Sequence, residues 1–184
     1  MATDDAELLK RWQRGDAAAF EMLVHRWQQP VGRILARLVG KHQVVSDLAQ
    51  EVFLRVHQAA PRYREKGFFA TWLYRIALSV ARDAQRRRRR LDALISEPPD
   101  PSKSADAVCA QKESAQAVIA ALEELPGPLR EVLVLRHYEQ MNFEDMSRLM
   151  GTPASTLKSR FAAALNRLRS RLQQLGFSAE EIES

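Results

Sequence analysis

Apolar residues recur at three- and four-residue intervals in nearly every periodic segment of this chain, and no convincing run of alternating β-branched residues appears. A chain patterned in this way can hide its apolar faces only by packing helices on one another, so the expected class is all-α. Helices are expected over about 5–14, stopping at Gly15, and over 17–38, kinked or split at Pro30 and closed by Gly40. Two more are expected over 45–59, ending before Pro61, and over 68–90. Residues 97–104, EPPDPSKS, then hold three prolines and nothing to bury, which marks a linker. Beyond it, helices over 107–124 and 128–138 are separated by Pro126-Gly127-Pro128. The expected plan is two small helical domains, residues 1–92 and 113–176, joined by a flexible linker at 93–112 and followed by a short acidic tail at 177–184. Each domain is small enough that its own core would be modest.

The second domain ends in NFEDMSRLMGTPASTLKSRFAAALNRLR, residues 142–169. Asn142 is placed to cap a short helix carrying Glu144 and Asp145 in its first turn, and Gly151 to end it. Thr152 is expected to cap a second helix with Pro153 at its first position. Two helices joined by a short Gly-containing turn form the unit that sets a recognition helix in the major groove of DNA. On that helix Leu157, Phe161, Ala164, Leu165, Leu168 and Leu172 fall on one side. Ser155, Thr156, Ser159, Ala162, Ala163 and Asn166 fall on the other, flanked by Lys158, Arg160 and Arg167. A small polar face suits close approach to bases and phosphates, although any surface helix has a polar face.

Charge agrees with a polyanionic partner. Lys and Arg number 28 against 23 Asp and Glu, and most of the cations are Arg, which forks onto phosphate and guanine. The single cysteine, Cys109, excludes an intrachain disulfide and fits a reducing cytosol. With neither a secretory signal nor an apolar run of about 18 residues, the chain is expected to be soluble and cytoplasmic. His25, His42, His57 and His137 show no ligand spacing with Cys109, and no Gly-rich phosphate loop follows a strand. No catalytic site, metal or cofactor is expected.

Two segments of the first domain carry chemistry. FFATWLYRIALSVARDAQRRRRR, residues 68–90, has a core stripe of Phe69, Leu73, Ile76 and Val80 and a strongly basic remainder. Before it, Tyr63, Arg64, Lys66, Phe68 and Phe69 interleave aromatics and cations around Gly67, the composition that stacks unpaired bases while holding their backbone. The competing reading buries Phe69 and Trp72, and Trp72 is assigned to the core. Adjacent charges at Arg86–Arg90 repel one another unless an anion lies nearby. The other segment, SDLAQEVFLRVHQAA, turns Leu48, Val52 and Val56 inward and Asp47, Gln50, Glu51, Leu54 and Arg55 outward. Its outer face is a plausible protein-binding surface and equally an ordinary solvated one.

The segments DLAQEVFLRVH (47–57), FFATWLYRIA (68–77), the RD…RRRRR ending, ALEELPGPLREVLVLRHYEQMNFEDMSRLMG (121–151) and TLKSR (156–160) resemble, in order, those of ECF (extracytoplasmic function) sigma factors. These form the small two-domain group of the bacterial sigma-70 family, and the likeness spans about residues 5–175. It implies a sigma region 2-like helical bundle followed by a region 4-like helix-turn-helix domain, which together bind core RNA polymerase and direct initiation at specific promoters. By resemblance, Asp47, Gln50, Glu51 and Arg55 bind the β′ clamp helices. Tyr63, Arg64, Lys66 and Phe68 capture a base flipped from the −10 element, and Arg75, Ser79, Arg82 and Arg86 track the melted strand. Ser155, Thr156, Lys158, Ser159, Arg160 and Ala163 read the −35 duplex. The linker threads near the polymerase active-site channel. The partners implied are core polymerase, including its β flap, promoter DNA and, as often in the family, an anti-sigma factor. Ser79 stands where the family often has Asn. Ala162, Ala163, Ala164 and Leu165 replace basic residues that usually follow the TLKSR-like motif, which implies a weaker −35 grip.

Two rival functions fit parts of this pattern. A duplex-binding transcriptional regulator with a sensory first domain would need neither the Tyr63–Phe69 cluster nor the face at Asp47. A polymerase-binding adaptor would bind the enzyme without opening DNA.

Overall fold

The computed structural model describes residues 4–40, 45–64, 69–94 and 110–177. Among them every regular element is helical: α1 (Asp5–Gln13), α2 (Ala17–Val39), α3 (Val45–Ala59), a short 3-10 turn (Ala60–Arg62), α4 (Phe69–Leu94), α5 (Ala110–Glu124), α6 (Gly127–Leu133), α7 (Phe143–Met150) and α8 (Ala154–Gln174). A single π-helical turn, Val134–Tyr138, extends α6. The expected all-α class holds. Lys66, Phe68 and most of the expected linker and tail lie outside the described residues.

Local chemistry explains the boundaries. Asp16 accepts from the Ala19 amide at 3.3 Å and so caps α2. Arg11 donates to the same carboxylate at 2.9 and 2.7 Å, which holds Asp16 below the ordinary carboxylate range. Pro30 neither splits nor ends α2, which runs unbroken past it to Gly40 at φ +73°. The burial of Val31, Ile34, Leu35 and Leu38 just beyond it outweighs the lost hydrogen bond. Asn142 caps α7 through the Asp145 amide at 2.8 Å, and Gly151 ends that helix at φ +65°. The start of α8 differs by one residue from the sequence expectation. Pro153 rather than Thr152 is the cap, and its carbonyl takes the first helical bond from Leu157 at 3.1 Å. Pro153 is itself extended, at φ −55° and ψ 140°, so the helix starts one residue beyond it.

The first domain is α1–α4. Leu8 and Leu9 of α1, the second half of α2, Leu48, Val52 and Val56 of α3 and Phe69, Leu73, Ala77 and Val80 of α4 meet in one core. Ile76 and Trp72 lie at its edge, partly buried. In the second domain Leu122, Leu125, Leu133 and Ala164 form a smaller cluster edged by Phe161 and Leu168. Leu165 is 40% exposed, so the docking stripe of α8 is narrower than its sequence pattern suggests.

The domains do not sit apart with separate cores. The buried cluster of the first domain continues into Val132, Val134, Leu135, Met146, Leu149 and Leu157 of the second. Polar contacts edge this junction. Arg130 is 8% exposed and donates to the Leu38 carbonyl at 2.6 Å, beside Gln85 of α4, which donates to the same oxygen at 2.8 Å. A cation at the C-terminal carbonyls of α2 is favoured by the helix dipole. Burial still pushes Arg130 below the ordinary guanidinium range, with Arg89 and Arg88 adding to the shift. Arg37 lies over the Tyr138 ring at 4.0 Å.

Candidate polymerase and nucleic-acid interfaces

α3 presents Asp47, Gln50 and Leu54 to solvent, with Leu54 62% exposed. Glu51 and Arg55, one helical turn apart, are half-buried and tied together at 2.5 Å. They are not free groups on a solvated face. Arg55 also reaches α4, donating to Asp83 at 3.0 Å and to the Ser79 hydroxyl at 3.3 Å. Arg87 donates to the other Glu51 oxygen at 3.1 Å. Arg86 pairs with Asp83, and these two cations, Arg86 foremost and then Arg55, hold Asp83 below the ordinary carboxylate range. The effect is to fix Glu51 in position while Asp47 and Gln50 remain available. Beside this face, Phe20, Val24, Ala49, Phe53, Leu54 and His57 line an apolar groove between α2 and α3 of about 660 Å³.

Arg75, Ser79, Arg82 and Arg86 are spaced at four, three and four residues, which aligns them along one face of α4. The stripe spans about 16 Å at the helical rise. At its N-terminal end Tyr63 lies against Trp72 with ring centroids 4.2 Å apart and the planes tilted by 31°, and Trp72 meets Phe69 edge-on at 5.7 Å. Gln13 of α1 holds this approach to α4 by donating to the carbonyls of Ala60 at 2.7 Å and Tyr63 at 3.0 Å. Arg64 is exposed. The structure thus brings Tyr63 together with the α4 stripe. It also draws Ser79 towards α3, and Trp72, assigned from sequence to the core, shares an aromatic platform with Tyr63.

Two members of the stripe are already engaged. Arg82 makes a bidentate pair with Glu131 of α6, at 2.7 and 2.6 Å, and Arg75 donates to the carbonyls of Leu149 at 3.2 Å and Arg148 at 2.8 Å. The Tyr74 hydroxyl donates to Glu139 at 2.6 Å, and burial with that carboxylate pushes its pKa up. Nothing in the sequence pattern pointed to Glu131 or Glu139, because their partners lie 49 and 65 residues away.

On α8, Ser155, Lys158, Ser159, Ala162, Ala163 and Asn166 are exposed, while Thr156 and Arg160 are half-buried. Leu157 and Ala164 are fully buried beneath them. Phe161 meets Phe143 edge-on at 5.9 Å, locking α8 against α7, and Lys158 lies 5.9 Å over the Phe143 ring. The Ser159 hydroxyl turns back to the Thr156 carbonyl at 2.9 Å. Among the described residues no acidic or His/Cys group could hold a metal ion, and no helix is long and apolar enough to cross a membrane.

Known proteins share this organisation. A family model for Sigma-70 region 2 matches residues 23–91, and one for Sigma-70, region 4 matches residues 115–168. The chain is 32% identical over 183 residues to the RNA polymerase sigma-H factor of Pseudomonas aeruginosa, covering 93% of this chain and 95% of that protein. It is 31% identical, over the same shares, to the ECF RNA polymerase sigma-E factor of Escherichia coli strain K12. Two solved structures share the fold. CnrH in complex with the cytosolic domain of CnrY gives a TM-score of 0.71 at 21% identity, covering 92% of this chain and 97% of that one. The sigma factor RpoE in complex with the anti-sigma factor NepR, from Bartonella quintana, gives 0.70 at 21% identity, covering 84% and 96%. With a region 2 bundle, a region 4 helix-turn-helix and likeness along nearly its whole length to sigma-H and sigma-E, the chain belongs to the ECF group of the sigma-70 family of RNA polymerase sigma factors.

Proposed function

We propose that three surfaces divide the work of this sigma factor. The α3 face, with Asp47 and Gln50 exposed and Glu51 braced by Arg55 and Arg87, seats the chain on the β′ clamp helices, and the apolar groove beside it takes apolar side chains from the same partner. The Tyr63–Trp72 platform and the α4 stripe hold the melted −10 strand. Extruding a base costs a few kcal/mol of unstacking. Stacking on an aromatic ring is worth about 1–3 kcal/mol per base, so the platform offsets a large part of that cost. The exposed face of α8 reads the −35 duplex, with Lys158 and Arg160 as its cations. The chemistry of RNA synthesis stays with the polymerase, and the chain works in the cytoplasm beside it.

One observation carries this reading: a close, tilted aromatic pair at the head of a stripe of cations on α4, in the same chain as an exposed recognition helix. A duplex-binding regulator has no use for the first of these. The test is transcription from a promoter library by core polymerase with and without the purified chain. Promoter-specific transcripts that share −35 and −10 sequences are expected. Polymerase binding without transcripts would leave an adaptor instead. RpoE has been solved with the anti-sigma factor NepR and CnrH with the cytosolic domain of CnrY, and an anti-sigma factor for this chain is proposed on the likeness to RpoE.

A further inference from the structure

We infer that Arg55 is a positioning residue for strand reading: its guanidinium fills the acceptor side of the Ser79 hydroxyl and turns the hydroxyl proton outward, as an oriented donor to a phosphate oxygen of the −10 strand. This rests on the assignment of the α4 stripe to that strand.

Packing sets the distance between the two residues. Leu48, Val52 and Val56 of α3 share a core with Leu73, Ala77 and Val80 of α4, which holds the helices side by side. Across that contact Arg55 Nη2 donates to Glu51 at 2.5 Å and to Asp83 at 3.0 Å, one carboxylate on each helix. Each carboxylate also carries a second cation, Arg87 on Glu51 and Arg86 on Asp83, so neither is free to swing. A planar guanidinium held at one nitrogen by two anchored acceptors has little freedom left. Its other terminal nitrogen, Nη1, then meets Ser79 Oγ at 3.3 Å.

The state of the hydroxyl decides what it can do. A serine hydroxyl has one proton to give and two lone pairs to accept with. On a helix the proton commonly turns back to a carbonyl of the preceding turn, as Ser159 of α8 does to Thr156 at 2.9 Å. Ser79 does not. Among the described residues its hydroxyl makes only the bond it accepts from Arg55, and the residue is exposed. Accepting from a cation polarises the O–H and makes it a better donor. Arg75, Arg82 and Arg86 lie above and below Ser79 on the same face, so the acceptor that meets it is a phosphate drawn in by those cations. Arg55, Arg86 and Arg87 outnumber Glu51 and Asp83, so the cluster around Ser79 is net positive and does not repel an anion.

Arg55→Lys separates this role from simple bracing. A lysine nitrogen set between the two carboxylates keeps the tie from α3 to α4 and leaves the place of Nη1 empty. Holoenzymes are formed at saturating core polymerase with the full chain as wild type, Arg55→Lys, Ser79→Ala and the double variant. Affinity is measured for a labelled single strand bearing the −10 sequence that wild type selects, and for strands with single base changes in it. Ser79→Ala should weaken binding about tenfold and Arg55→Lys by nearly as much, while the double variant should lose no more than Ser79→Ala alone. The loss should be the same for every strand, as a phosphate contact requires. Losses that add in the double variant would show Arg55 acting without Ser79 and overturn the inference. So would an Arg55→Lys chain that binds polymerase more weakly and the strand as well as wild type. A loss confined to one base would overturn the phosphate as acceptor. Arg82→Ala tests the premise by itself, since Arg82 lies on the stripe but outside the Arg55 network. If Arg82→Ala weakens strand binding and Ser79→Ala does not, the −10 assignment stands and the inference falls. If Arg82→Ala changes nothing, the −10 assignment falls.

Discussion

Tyr63 shows how much a single side chain adds. Its ring lies on Trp72, and Gln13 fixes the backbone beneath it, so an incoming base meets a platform already ordered. Tyr63→Ala should weaken −10 single-strand binding by about 5- to 150-fold, the equivalent of one lost stack, whereas Tyr63→Phe should stay near wild type. Fluorescence anisotropy with the variant holoenzymes measures both, and equal loss in the two would assign the effect to the hydroxyl instead. Asp83 makes a different point. Arg86 and Arg55 hold its folded pKa below that of the unfolded chain, so its contribution is fully present above the ordinary carboxylate range and disappears as pH falls through the lowered value. The pair is partly solvated, which limits the contribution to about 1 kcal/mol or less. Asp83→Asn should therefore melt slightly below wild type at pH 7, with the gap closing in acid below the ordinary carboxylate range. A gap that widened in acid would reverse the sign of this linkage. Asp83 was not visible as a site residue from sequence, since what it does depends on Arg55 being 28 residues away.

At the level of elements, α8 tests how far an exposed face acts as a reader. Lys158 is exposed and Arg160 half-buried, while Ala162 and Ala163 supply no charge on the following turn. With so few cations, each phosphate contact is a large share of the total. Lys158→Ala should weaken binding to all −35 duplexes nearly uniformly and reduce the slope of log affinity against log salt by about 1. Affinity measured over a salt series checks this; a loss confined to one duplex sequence would make Lys158 a base reader. The helices themselves were legible from the sequence because their signals are local: Asn142 and Gly151 bound α7 as expected, and Leu48, Val52 and Val56 face the core of α3. The split that Pro30 allowed in α2 does not occur, because its local cost is set against burial that only the tertiary fold supplies. The face at Asp47 was legible as a surface, but the bracing of Glu51 by Arg87 was not, since Arg87 read only as part of an anion-seeking run.

In the whole molecule the two helical domains expected from the sequence also pack on one another, a contact that a proline-rich linker does not announce. The domains share one buried cluster, and apolar contact of that kind couples folding as well as position. Such coupling is invisible in sequence because it joins residues by shape rather than by spacing: Leu149 belongs to a helix-turn-helix by pattern, yet it also packs at the junction with α4, where its carbonyl takes Arg75. The free chain should consequently melt in a single calorimetric transition at low salt. Leu149→Ala should destabilise it by about 2–5 kcal/mol, the usual cost of truncating a buried leucine. Its distinguishing effect is where protection is lost. If the domains fold as one unit, amide exchange should accelerate in the Tyr74–Ala81 stretch of α4 as well as in α7 and α8. Two transitions, or an α4 whose protection ignores Leu149, would mean that the domains meet without sharing stability. In that event the bonds from Arg82 to Glu131 and from Tyr74 to Glu139 would carry a larger share of the contact between them.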